Sequence, residues 1–207
     1  MKKALVSVCL LSLFFTCATY AANKPAKHPA FSSDTVIWAG LDYSKVRMIG
    51  PGQFNEGDAI FPGMLQAWNE LFLRERLRFV EKQTKKRVVV DIAGVTEVNK
   101  GATSKQIIVS PGPDDTVEKS HITEQDIANA VKSYKLESKS GLAAVFIVDR
   151  FVKITKGEGA LYVVAFDAAS REVLFSQREI HDGAGFGFRN YWFRVVKDSE
   201  EALRKLR

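Results

Sequence analysis

Three strongly β-forming segments follow one another late in the chain: residues 142–154, 160–166 and 173–180. Only Lys156-Gly157-Glu158-Gly159 and Asp167-Ala168-Ala169-Ser170-Arg171-Glu172 separate them. Turns this short reverse a chain and leave no room for a crossover, so these strands alternate in direction. The earlier β-rich segments are joined differently. Residues 35–41 and 88–92 flank a helical stretch of about 64–82, where Leu65, Trp68, Leu71 or Phe72, and Phe79 recur near one face. A second helix opens at Thr123, with Glu124 and Asp126 in its first turn. Ile127, Ala128, Val131 and Tyr134 form its apolar face. Strands joined through helices run parallel. A last helix covers about 189–206. The order β-α-β-α-β-β-β-α predicts an α/β fold: a mixed, largely parallel sheet with helices packed on it.

Two finer expectations follow. Residues 88–92 are nearly all apolar, which predicts a strand buried on both faces. The parity of directions places the ends of the first and last strands on one rim, so Asp42, Tyr43 and Ser44 would share it with the segment after His181. Residues 107–109 are a candidate extra strand, and an extra strand would alter that parity.

The N-terminus carries an address. Lys2 and Lys3 precede an uncharged apolar run at 4–15, and Ala21 offers a small residue before a cut. This is the pattern of a secretory signal peptide over residues 1–21. The run is shorter than the ~20 residues that span a bilayer, which argues against an integral membrane protein. A lipoprotein would need a small residue just before Cys17 and a Leu-like one three positions before it. Phe14-Phe15-Thr16 fits that poorly. Residues 22–33 are Pro- and Ala-rich and read as a flexible tether, leaving a single domain at 34–207. The expected destination is periplasmic or extracellular.

Both cysteines, Cys9 and Cys17, lie inside the leader. Cleavage would leave no disulfide, no thiol nucleophile and no Cys-ligated metal. The net charge of +6 also shrinks, because Lys2, Lys3, Lys24 and Lys27 all precede the first acidic residue, Asp34. The domain lacks the clustered basic stripe of a nucleic-acid binder. With two histidines after residue 33, a His-rich zinc site cannot be built, and Asp114-Asp115 lacks the alternating acidic loop of a calcium site. No G-x-S-x-G elbow occurs. These readings assign no catalytic residue, no metal and no cofactor, and they lean away from an enzyme.

The densest local feature is His181-Asp182-Gly183-Ala184-Gly185-Phe186-Gly187-Phe188-Arg189-Asn190-Tyr191-Trp192-Phe193. Its alternating glycines could free backbone N–H groups for an anion at a helix N-terminus. They equally suit a tight turn where backbone packs closely. Five aromatics within eight residues cannot all face the sheet, so one or two are expected as exposed anchors. His181 and Asp182 are sequence neighbours on a strand and should point to opposite faces, so they are not an acid–base dyad.

The hairpin Phe166-Asp167-Ala168-Ala169-Ser170-Arg171-Glu172-Val173-Leu174 is similar to one in several bacterial envelope proteins. These are the lipoprotein activators of peptidoglycan synthases, the curli secretion protein family and the amino-terminal domain of the Tol-system translocation protein TolB. That resemblance implies an α/β fold and action by binding other envelope proteins. Trp38-Ala39-Gly40-Leu41-Asp42-Tyr43-Ser44 and Gly185-Phe186-Gly187-Phe188-Arg189-Asn190-Tyr191-Trp192 resemble segments of uncharacterised secreted proteins of Bacteroidetes-like bacteria. That likeness implies a shared fold and no particular activity. The expectation is an exported envelope protein that binds another envelope protein without catalysis. Its contact rim would comprise Asp42, Tyr43, Ser44, His181, Asp182, Gly183, Gly185, Phe186, Gly187, Arg189, Asn190, Tyr191 and Trp192. The alternative is a small anionic-ligand binder, or an unrecognised enzyme, using the loop at 183–187. The sequence leaves the oligomeric state open.

Overall fold

The computed structural model describes residues 28–207 apart from Pro51, Gln53 and Glu56. The expected leader at 1–21 and the first part of the expected tether, 22–27, lie outside the described residues. The described residues include a packed segment before Asp34. Pro29–Ser32 form a 3-10 turn with Ala30 buried. Lys86 Nζ donates to the carbonyls of Phe31 and Ser33, at 2.7 and 2.5 Å. Residues 28–33 are thus part of the domain rather than a tether.

The fold is α/β. Seven strands form one sheet: β1 (Thr35–Asp42), β2 (Arg47–Ile49), β3 (Arg87–Val90), β4 (Ile107–Ile108), β5 (Leu142–Lys153), β6 (Gly157–Asp167) and β7 (Val173–Asp182). β5 is the spine. Antiparallel β6 covers one edge of it and β7 follows, as the short turns require. On the other edge β1 pairs with residues 142–147 and β2 with residues 150–152, both parallel. β3 lies outside β1 and β4 outside β2, also parallel.

Helices cover both faces. α1 (Gly57–Ala59) is one turn, and the kinked segment Ile60–Met64 leads into α2 (Leu65–Glu75). A break at Arg76 separates α2 from α3 (Leu77–Thr84), so the single helix expected at 64–82 is two. These pack on one face with α6 (Gly187–Ser199) and the 3-10 segment Glu200–Leu206, around Trp38, Trp68, Phe72, Phe146 and Phe151. α4 (Ala93–Asn99) and α5 (Glu124–Ser133) pack on the opposite face through Val95, Ile127, Val131 and Tyr134. Thr123 and Asp126 form the capping box of α5. No helix among the described residues is long and apolar enough to cross a membrane.

Two expectations are corrected by the topology. β3 is an edge strand, not a central one. It pairs only with β1, and Val89 and Val90 stay 42% and 44% exposed. Its run of valines therefore does not mark burial on both faces. The shared rim also divides. Residues 107–108 do form a strand, but a parallel one, so directions are unchanged. The chain instead continues past Asp42 as β2. Register places Asp42 level with Ile147, Tyr162 and Arg178, whereas Asp182 is level with Glu158, Val152 and Ile49. About four residues, roughly 13 Å along the strands, separate the two levels.

Candidate functional site

The sequence-derived rim residues occupy two places. Asp42 and Tyr43 are buried, at 1% and 2% exposure, and offer no contact surface. Their environment explains the Trp38–Ser44 motif. β3 stops at Val90, so residues beyond Trp38 lose ladder partners on that edge. Buried backbone groups need replacements. Asn69 supplies two: its Oδ1 accepts from Leu41 N at 2.7 Å and its Nδ2 donates to Leu41 O at 3.0 Å. Asn99 Nδ2 donates to the same carbonyl at 2.8 Å, and its Oδ1 accepts from Tyr43 N at 2.9 Å. Gly40 has φ +113°, and a Cβ there would sit 2.8 Å from Asn69 Oδ1. The motif therefore needs glycine for conformation and for space.

The Asp42 carboxylate is held from two sides. Tyr134 Oη donates to its Oδ2 at 2.5 Å, and Ser44 N to its Oδ1 at 2.8 Å. Burial and the Asp42 charge push the Tyr43 phenol up to about 12. Burial, with the charge and hydrogen bond of Asp42, raises Tyr134 well above its ordinary value. Both phenols are thus kept neutral. Of this group, only Ser44 reaches the surface.

The second place is the loop from His181 into α6. Gly183 N donates to Gly157 O at 2.8 Å, tying the loop to the β5–β6 turn. A Cβ on Gly183 would lie 2.3 Å from Tyr191 Cε1, and one on Gly157 would lie 2.2 Å from Tyr191 Oη. Close packing is therefore what Gly183 supplies: the two glycines form a flat seat for the Tyr191 ring. The Lys153 ammonium covers that ring at 4.1 Å. Gly183→Ala is expected to unseat Tyr191 and to destabilise the domain by about 1–3 kcal/mol, read by urea unfolding.

The remaining aromatics sort cleanly. Trp192 is buried against Phe151 at 4.8 Å and Phe54 at 5.7 Å. Phe188 stacks on Trp68 at 5.8 Å, and Phe193 lies in the same core. Phe186 alone is left outside, at 94% exposure. Gly185, Gly187, Arg189 and Asn190 are exposed beside it in the chain, and Ile154 is exposed in the turn that precedes Gly157. His181 and Asp182 have separate surroundings. His181 Nε2 lies 3.3 Å from Glu179 Oε2, and Asp182 lies 3.3 Å from Lys156 Nζ.

A buried charge cluster went unread in the sequence. β5 carries a bulge between Val148 and Arg150, so Asp149 and Arg150 both face the α5 side of the sheet. Arg178 donates to Asp149 Oδ2 at 2.6 Å from Nη2 and 2.9 Å from Nε. His121 Nδ1 lies 2.8 Å from Asp149 Oδ1, and its Nε2 lies 2.8 Å from Lys45 O. Arg150 donates to Thr116 O at 2.7 Å, and Arg178 to Val117 O at 2.6 Å. Burial pushes the Asp149 carboxyl up. The hydrogen bonds from His121 and Arg178, with the charges of Arg178 and Arg150, outweigh it and leave the group below the usual range. The cluster clamps the 114–121 segment over the sheet. The readable sign was an Asp-Arg pair inside an otherwise apolar strand.

Among the described residues no group of three or more His, Cys, Asp or Glu side chains is placed to hold a metal ion. No family model matches the chain, and no curated protein matches it in sequence.

Proposed function

We propose that the protein is an exported, non-enzymatic binding module that engages another envelope protein through the Phe186 loop. The observation that carries this reading is the isolation of Phe186. Every other aromatic of its segment is packed, while this ring stands 94% exposed on a loop whose base is fixed by Gly183, Gly157 and Tyr191. An exposed aromatic on an anchored loop loses little freedom on binding, which favours it as an interface anchor. Ile154 and Arg189 would extend the contact with an apolar and a cationic group. The leader at 1–21 supplies the route out of the cytoplasm in this reading.

Phe186→Ala separates binding from folding. The ring contributes almost nothing to the core, so stability is expected to change by less than about 0.5 kcal/mol. Capture of the partner from envelope extracts should fall at least tenfold, as for loss of an interface anchor. Equal capture by the wild type and Phe186→Ala, at equal melting temperature, would remove this reading.

A further inference from the structure

A second surface lies about four residues back along the sheet and makes no use of Phe186. An open cleft of about 540 Å³ lies where the chain enters β2 and β4, between the Ser44–Arg47 segment and Lys105, Gln106 and Ile108. The volume falls in the range of small-molecule sites, roughly 300–1,000 Å³.

The charges around the cleft are not balanced. Lys45 is committed to Asp126 at 2.7 Å. Gln106 Nε2 is committed to the carbonyls of Ser44 and Val46, at 3.0 and 2.9 Å. Asp115 Oδ2 accepts from Gly112 N at 2.9 Å. Arg47 and Lys105 line the same cleft, and neither side chain has a hydrogen bond or ion pair among the described residues. The Ser44 hydroxyl is equally unengaged. Below them, Arg47 is the register partner of Arg150 on the adjacent strand. Arg150, which pairs with Asp149, therefore places a second guanidinium on the strand next to Arg47.

We propose that this cleft binds the phosphate group of a small phosphate monoester. A guanidinium fork, an ammonium and a hydroxyl are three kinds of donor, suited to a group with three outer oxygens rather than a flat carboxylate with two. Val46 and Ile108 give the cleft apolar wall for the rest of the ligand.

The test is calorimetric titration and thermal unfolding of the full chain with sn-glycerol 3-phosphate, inorganic phosphate, succinate, and sodium chloride at matched ionic strength. Glycerol 3-phosphate is expected to raise the melting temperature with concentration, inorganic phosphate to do so more weakly, and succinate and chloride to do nothing. The double variant Arg47→Ala, Lys105→Ala should still fold, since neither side chain holds a partner among the described residues, and should lose roughly 100-fold in affinity. Phe186→Ala should keep the full response, which separates this site from the proposed protein contact. No response to the phosphate probes, an undiminished response in the double variant, or a succinate response as large as that to glycerol 3-phosphate would overturn the assignment.

Discussion

Asp149→Ala is expected to destabilise the domain by about 3–5 kcal/mol, the usual consequence of removing one partner from a buried ionic cluster. Asp149 is fully buried and pairs with the Arg178 and Arg150 guanidinium groups and with His121. Its loss strands Arg150, itself 1% exposed, without a counter-charge. The carbonyls of Thr116 and Val117 would lose their oriented donors, and the 114–121 segment would loosen with them. Asp149→Asn preserves shape but not charge and should fall between the two. Urea unfolding at neutral pH measures both variants, and a loss below about 1 kcal/mol would contradict the clamp.

The same residue sets an acid dependence. The folded pKa of Asp149 lies below the ordinary carboxylate value. Its contribution is therefore complete above the unfolded value of about 3.9 and is lost as pH falls through the folded one. The wild type should lose stability below about pH 4 more steeply than Asp149→Asn, with little difference in slope between pH 5 and 8.

Trp38→Ala is the second large effect, also about 3–5 kcal/mol. The Trp38 ring is fully buried, stacked on Phe72 at 4.3 Å and edge-on to Phe146 at 5.1 Å. It joins β1, β5 and α2, so the cavity left by truncation opens where three elements meet. The indole N–H has no hydrogen-bond partner. Trp38→Phe retains much of the ring and removes an unsatisfied donor, so its cost is expected below about 2 kcal/mol. Equal costs for the two variants would show that packing around Trp38 is not what stabilises this region.

The elements legible in the sequence were those with long, regular signals. The 142–154, 160–166 and 173–180 segments became β5, β6 and β7 because strongly β-forming runs are bounded there by short turns. Thr123 and Asp126 announced α5 through its cap. What stayed hidden was short or depended on distant residues. β2 and β4 have three and two residues, too few for any periodicity, and they exist because β5 extends beyond the end of β1. The valines of β3 suggested a central strand, yet strand position is decided by which segments pair around it. α4 was unread in a stretch with little pattern.

The candidate surface divides on the same ground. The crowding of aromatics at 186–193 correctly implied that a ring would be left over, but only tertiary packing selects Phe186 over Tyr191 or Phe188. Asp42 and Tyr43 looked like strand-end contact residues. They are buried because β2 continues beyond them and because Asn69, Asn99 and Tyr134, 26 to 92 residues away in the chain, close around the backbone. The bulge at Asp149 turns two adjacent residues to one face, which strict alternation forbids. Arg47 and Lys105 carried no pattern at all. They stand out only once the cleft and its paired neighbours are in place.

The most direct test of the proposed role is photo-crosslinking in cells that naturally produce the protein. The photoreactive residue would replace Phe186, with a control at Ala169, exposed on the β6–β7 turn at the opposite end of the sheet. The account predicts one discrete adduct from position 186 and none from position 169, with both proteins folded to the wild-type melting temperature. Folded protein that gives no adduct at 186, or the same adducts from both positions, would contradict it.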